Sequence, residues 1–167
     1  MSILRVIEKA IVLYGPVFLA NAVPVVAKGK LPMDFNKTFI DGRRIFGKSK
    51  TIEGFISGII AGVILGVIIS IIKGDITCIA IAFISSTGGL IGDTVGAFIK
   101  RRLRMVEGSP APILDQLDFV LGATLLLTVM GVNVEFKVFI IAVISSLVLH
   151  VLTNRIAYIL KLKNVPW

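Results

Sequence analysis

Apolar residues run along this chain in blocks that are hydrophobic on every side. Five blocks stand out, at roughly 6–26, 54–72, 76–99, 113–131 and 138–159. Each approaches or exceeds the roughly 20 residues that a helix needs to cross the hydrocarbon of a bilayer. Polar residues collect between them. Two connections are long and charged, Ala27 to Glu53 and Lys100 to Pro112, and two are short, Lys73–Asp75 and Val132–Lys137. The pattern predicts an all-α integral membrane protein, one domain over residues 1–167, with five transmembrane helices. The fourth block differs from the rest in its acidic first turn, which carries Asp115 and Asp118.

Composition agrees with the blocks. The chain is 56% apolar with mean hydropathy +0.95, above the roughly 45–50% of soluble domains. The net charge is +8, and its distribution predicts orientation. With five spans, all of the 18 Lys and Arg except Arg5, Lys9, Lys73 and Lys137 fall on one side. Basic loops stay cytoplasmic, so the N-terminus is expected outside, with the C-terminus and both long loops inside. Such a charge points to anionic lipid before nucleic acid, and no nucleic-acid partner is expected. A single cysteine, Cys78, excludes an internal disulfide and a cysteine-based metal site. The first block carries Asn21, Pro16 and Pro24 and no persuasive cleavage site, so it reads as a retained span in a multi-pass protein of the cell membrane.

Glycines repeat every four residues in two blocks: Gly54, Gly58, Gly62 and Gly66, then Gly88, Gly92 and Gly96. Small residues at that spacing let helix backbones approach closely in lipid, and they predict that spans two and three pack on these faces.

The costly residues come next. Asp93 lies well inside an apolar block, where a charge costs about 2.5–3.5 kcal/mol even on the mild insertion scale, which by default marks a functional site. Asp93, Gly96, Ala97 and Lys100 share one helix face, with room beside the acid. Asp115, Asp118 and Gly122 share another, and Asn21, Val25 and Lys28 a third. All three polar positions lie toward the same membrane side as the basic loops. Other readings stay open. Asp115 and Asp118 could answer a helix dipole, Asp93 could pair with Lys100 or Arg101, and Asn21 could bond a neighbouring helix. The run from Lys100 to Arg104 could serve only as a topology anchor.

Two motif matches do not hold. Gly42 to Ser49 fits the G-x-x-x-x-G-K-[ST] pattern, but the loop is too short for the α/β domain that a P-loop needs. Asp41-Gly42 before arginines partly fits the CDP-alcohol phosphotransferase signature, without its Ala-Arg and with wrong later spacing. His150, the only histidine, has no second ligand nearby and reads as a helix-packing residue.

Three segments carry a more specific resemblance: LPMDFNKTFIDGRRIFGKSKTIEGF from Leu31, GDTVGAFIKRRL from Gly92, and LDQLDFVLGA from Leu114. They resemble the archaeal CDP-archaeol synthases, which are distantly similar to bacterial CDP-diacylglycerol synthases. The resemblance covers almost the whole chain. It implies a Mg²⁺-dependent cytidylyltransferase that joins CTP to an isoprenoid ether lipid phosphate, 2,3-di-O-geranylgeranylglyceryl phosphate, and releases pyrophosphate. On that footing Asp93, Asp115 and Asp118 are expected to hold Mg²⁺, with Lys100 beside them as a fourth catalytic residue. Lys100, Arg101 and Arg102 are expected to hold phosphates. Asp41, Gly42, Arg43, Lys50 and Thr51 are expected to cover the nucleotide, with Asn21 contributing from the first span. The glycine-lined space between spans is expected to admit the isoprenoid chains. A homodimer is left open. The rival readings are a CDP-alcohol phosphotransferase and a small transporter using Asp93. The transporter needs a polar pathway to the outer face, where the spans show almost no charge.

Overall fold

A computed structural model describes residues 2–27, 29–111 and 113–161. The described residues form five helices: α1 (Ile3–Ala27), α2 (Ile52–Lys73), α3 (Thr77–Arg102), α4 (Leu114–Val129) and α5 (Phe136–Ile159). No strand occurs among them. The expected all-α architecture is therefore present. Four helices, α1, α2, α3 and α5, are long and apolar enough to cross a membrane. The fourth differs from expectation: α4 has 16 residues, about 24 Å at 1.5 Å per residue, against a hydrocarbon core of about 30 Å. It still carries the chain from one end of the bundle to the other. Asp118 packs on Gly96 near the end of α3, whereas Val132 and Asn133 line a cavity with Cys78 near its start.

A second difference is at the end of α3. Lys100, Arg101 and Arg102, expected in a loop, form the last helical turn. Cations there suit the negative end of the helix dipole. α2 is set by its caps. The Thr51 hydroxyl accepts a bond from Gly54 N at 3.2 Å, and Gly74 closes the helix at φ 65°.

The glycine rows pack closely but not against each other. A Cβ on Gly58 would stand 2.6 Å from the Ala20 carbonyl of α1, and one on Gly62 or Gly66 would strike Ser86 or Ala82 of α3. The α3 row faces α4 instead: a Cβ on Gly88 would lie 2.7 Å from the Gly122 carbonyl, and Gly92 and Gly96 face Asp118. α3 is central. It presents Ala82 and Ser86 to α2 and glycines to α4, so that both neighbours come within backbone contact. The room expected beside Asp93 is filled by Asp118, and each glycine of the two rows lies in close contact with a neighbouring helix or cap residue.

The apolar core joins α1, α4 and α5 through Leu13, Val17, Val120, Leu127 and Val138, all nearly or fully buried. Tyr14 and Thr124 tie α1 to α4 through hydroxyls 2.6 Å apart. The expectation for Lys28 falls outside the described residues, as do the His150 side chain and the basic tail beyond Lys161.

Candidate active site

One end of the bundle gathers most of the charges that the sequence marks as unusual. The loop from 29 to 51 covers it. This loop is built on a buried acid, Asp34, 3% exposed. The Asp34 carboxylate takes a forked pair from the Arg44 guanidinium and accepts from the backbone N–H of Asn36, Phe46 and Gly47 at 3.0–3.2 Å. Burial alone would raise its pKa; the Arg44 pair and the three N–H donors outweigh that and hold it at about 2, below the ordinary 3.8. Two isolated antiparallel bridges, Pro32 with Thr51 and Thr38 with Arg44, complete the loop. The loop contains no strand–helix unit, so the P-loop match has no fold behind it.

This loop delivers Lys50 to the bundle. Lys50 Nζ lies 2.5 Å from Asp93 Oδ2, each side chain less than a quarter exposed. The pair borders a small cavity of about 30 Å³ whose wall also includes Pro24, Met33, Thr51, Phe55 and Thr94. The partner of Asp93 is therefore Lys50, not Lys100 or Arg101. Lys100 instead reaches Asp115 at 2.6 Å, and the other Asp115 oxygen accepts from Ala111 N at 2.9 Å.

Asp118 sits between these pairs. Its carboxylate lies against Gly96, one helical turn from Asp93, where any side chain would displace it. Oδ1 accepts from Phe119 N at 2.7 Å, but the buried Oδ2 has no hydrogen-bond partner. Asp93, Lys50 and Asp115 are all within electrostatic reach. A buried carboxylate oxygen left unsatisfied is costly, and such an atom fits a functional role.

Among the described residues, no group of three acids, histidines or cysteines is placed to hold a metal. Asp93 and Asp118 still fit the way Mg²⁺ is usually held, by one or two carboxylates with substrate phosphates completing the shell. Asp115 stands apart, with both oxygens engaged.

The remaining expected residues lie around this group. Asp41, Gly42 and Arg43 form the tip of a tight hairpin, with Gly42 at φ 73° and Asp41 Oδ1 accepting from Arg43 N. The Arg43 side chain is exposed. Arg101 donates to the Val106 carbonyl at 3.3 Å and keeps a buried Nε without a partner. Asn21 is half-buried on α1, three residues before Pro24, and makes no side-chain hydrogen bond among the described residues. Sequence reasoning missed Asp34 and Glu107, which accepts from Lys48 N at 2.8 Å and pins the first loop to the second. The one signal for Asp34 was an acid placed among many bases.

The opposite end is more charged than the reading of almost no charge within the spans there, since Glu8 and Lys9 lie within α1. A cavity of about 550 Å³ there is lined by Arg5, Glu8, Lys9, Lys73 and Asp75. It does not continue to the site. Along α1, Tyr14, Val17 and Ala20 are almost fully buried, and they separate Leu13 at the cavity from Pro24 at the site.

A helical bundle of membrane-crossing length, with half-buried acids and bases at one end, defines the class: an intramembrane enzyme. Comparison with known proteins gives the family. The family described as CarS-like, CDP-archaeol synthase, matches residues 3–167. The CDP-archaeol synthase of Sulfurisphaera tokodaii is 44% identical over the full length of both chains. Those of Saccharolobus islandicus (strain Y.N.15.51) and Sulfolobus acidocaldarius are 46% and 43% identical, the latter over 94% of this chain and 96% of its own. A solved structure of an intramembrane enzyme for archaeal membrane lipids biosynthesis superposes with TM-score 0.83 at 41% identity, covering 88% of this chain and 93% of that one. The chain belongs to the CDP-archaeol synthase family.

Proposed function

We propose that this protein transfers the cytidylyl group of CTP to an isoprenoid ether lipid phosphate, 2,3-di-O-geranylgeranylglyceryl phosphate, giving the CDP-lipid and pyrophosphate. The carrying observation is Asp118, buried with one oxygen unanswered beside Asp93 and between two lysines. Such a site leaves one acid, Asp118, without a cation of its own and carries two ammonium groups beside it. A nucleoside triphosphate with its divalent ion supplies both partners.

The chemistry asks little else. An oxygen of the lipid phosphate attacks the α-phosphorus of CTP, the α–β bridging bond breaks, and pyrophosphate leaves with the bonding pair. A phosphate monoester is already mostly dianionic at pH 7, because its second pKa is about 6, so no general base is needed. Alignment and charge neutralisation remain. Lys50, Lys100, Arg43 and Arg101 hold phosphate oxygens. Asp115 orients Lys100, and Asp93 and Asp118 are the metal ligands. Mg²⁺ bound there would neutralise charge on the triphosphate and polarise the α-phosphorus. Thr51, Asp41, Gly42 and Asn21 border the nucleotide. The basic loops support a site on the cytoplasmic side of the cell membrane.

The test is direct. Protein purified in detergent receives the geranylgeranyl ether lipid phosphate, labelled CTP and Mg²⁺. Mg²⁺-dependent lipid-soluble label with stoichiometric pyrophosphate is expected. CMP released from a CDP-lipid donor, with CTP inert, would replace this reading by an alcohol phosphotransferase.

A further inference from the structure

Arg102 was expected to hold a phosphate, but its surroundings give it other work. Its guanidinium carbon lies 4.8 Å from the Phe39 ring centroid and 4.7 Å from that of Phe98. The two rings meet edge to face at 5.3 Å. Phe39 belongs to the first loop and Phe98 to α3, so the guanidinium joins the two. Nη2 donates to the Arg44 carbonyl at 2.8 Å, with the Arg43 carbonyl at 3.5 Å. Nε faces Asp41 Oδ2 at 3.1 Å as an ion pair without hydrogen-bond alignment. The ion pair with Asp41 is one more link from the guanidinium to the hairpin. The two ring contacts use the flat guanidinium face that lysine lacks, while Nη1 is buried with no hydrogen-bond partner among the described residues.

The hairpin it grips is a closed unit. Phe39 N donates to the Arg43 carbonyl at 2.7 Å and Gly42 N to the Phe39 carbonyl at 2.9 Å. Arg44, at its base, sends its side chain to Asp34 and its carbonyl to Arg102. The Arg43 side chain, at the tip, has no partner among the described residues.

We propose that Arg102 is a positioning residue for nucleotide binding: it clamps the 38–44 hairpin to the end of α3, the helix that carries Asp93, and so fixes Arg43 for the triphosphate. This deepens the cytidylyltransferase reading and rests on it for the ligand, though not for the clamp.

Two readouts test it. Arg102→Lys keeps the charge but loses the planar guanidinium and its Nη2 donor, and Phe98→Leu removes one ring. Each is expected to raise KM for CTP about tenfold, the cost of a lost hydrogen bond or cation–π contact, with kcat within about twofold and KM for the lipid phosphate unmoved. Combining them should add little. Independently of activity, trypsin should cut after Arg43 and Lys48 faster in both variants than in the wild type. Phe39→Leu, on the exposed loop, is the second variant should Phe98→Leu fail to fold. Wild-type CTP kinetics for Arg102→Lys and Phe98→Leu, with a kcat loss confined to Arg102→Ala, would mean that Arg102 touches phosphate and would overturn the clamp. Unchanged trypsin cleavage in the variants would overturn it too. A wild-type protein that makes no CDP-lipid would sink the proposed reaction, while the trypsin result would still decide the clamp.

Discussion

The two ends of the bundle treat charge differently. At the end away from the site, Glu8 pairs with Lys73 and Lys9 lies 2.5 Å from Glu135. Asp75 accepts from the amide and hydroxyl of Thr77. Every acid there has a local partner in an exposed setting. At the site end the pairs are more deeply set, Lys50 with Asp93 and Lys100 with Asp115 at about a fifth exposed. Between them one buried oxygen of Asp118 has no hydrogen-bond partner among the described residues. Exposed pairs are worth little to either partner. Half-buried pairs with an unanswered acid are costly to keep without function. The contrast marks the site end as the one where activity is expected to depend on the charges.

Removing that dependence should give the largest effect. Asp93→Asn and Asp118→Asn each delete a charge while keeping the shape, and each is expected to lower kcat by roughly 10³-fold, the scale of lost electrostatic stabilisation at a reacting phosphate. Both proteins should remain monodisperse and helical, because neither acid supports the apolar core. Retention of most activity in Asp93→Asn would remove it from the site. A more stable but inactive Asp118→Asn would show that the unanswered oxygen costs the fold something, as burial predicts.

Asp34 should give a smaller effect, and one with a pH signature. Its carboxyl stands at about 2 in the folded protein, against 3.8 ordinarily. A depressed folded pKa means stability that is complete above about pH 4 and lost as pH falls toward 2. The difference amounts to roughly 2 kcal/mol. Asp34→Asn should therefore loosen the loop at pH 7, with faster proteolysis there and weaker CTP binding. At pH 2 the variant and the wild type should be cleaved alike by an acid protease. A difference that persists at pH 2 would mean that packing, not charge, holds the loop.

How much of this was legible depended on distance along the chain. Helices were readable because a membrane span must be apolar over a fixed length, and the boundaries fell within a few residues. Asp93 was readable because an acid in such a run is expensive. The approach of Asp118 to Asp93 was half readable: the i, i+3 and i+4 spacings put Asp93 with Gly96 and Asp118 with Gly122. Their meeting depends on which helix the α3 glycines choose, and a spacing does not name its partner. Hence α4, not α2, was found on Gly88, Gly92 and Gly96. The link from Lys50 to Asp93 spans 43 residues and is set by the fold of a loop whose organiser, Asp34, looks ordinary in sequence. Arg102 was noticed for its charge, while its two ring contacts depend on where Phe39 lands.

The last prediction concerns the end where charges are answered. Glu8→Gln with Lys73→Met removes a pair that joins α1 to the end of α2. Glu8 is more than half exposed and Lys73 about a third, so water already solvates both and screens their attraction. Ordering two long side chains offsets much of what remains. The double change should leave the thermal midpoint almost unmoved, as for exposed pairs generally, and leave CTP turnover within about twofold. The single Lys73→Met leaves Glu8 in contact with water, so it too should cost little, unlike the loss of Lys50, which would strand Asp93 half-buried beside Asp118. Thermal melts and steady-state kinetics on both lysine variants would measure the contrast. A turnover loss from Lys73→Met as large as that from Lys50→Met would mean that the two ends are coupled through the core, and the division of roles argued from their charges would fall.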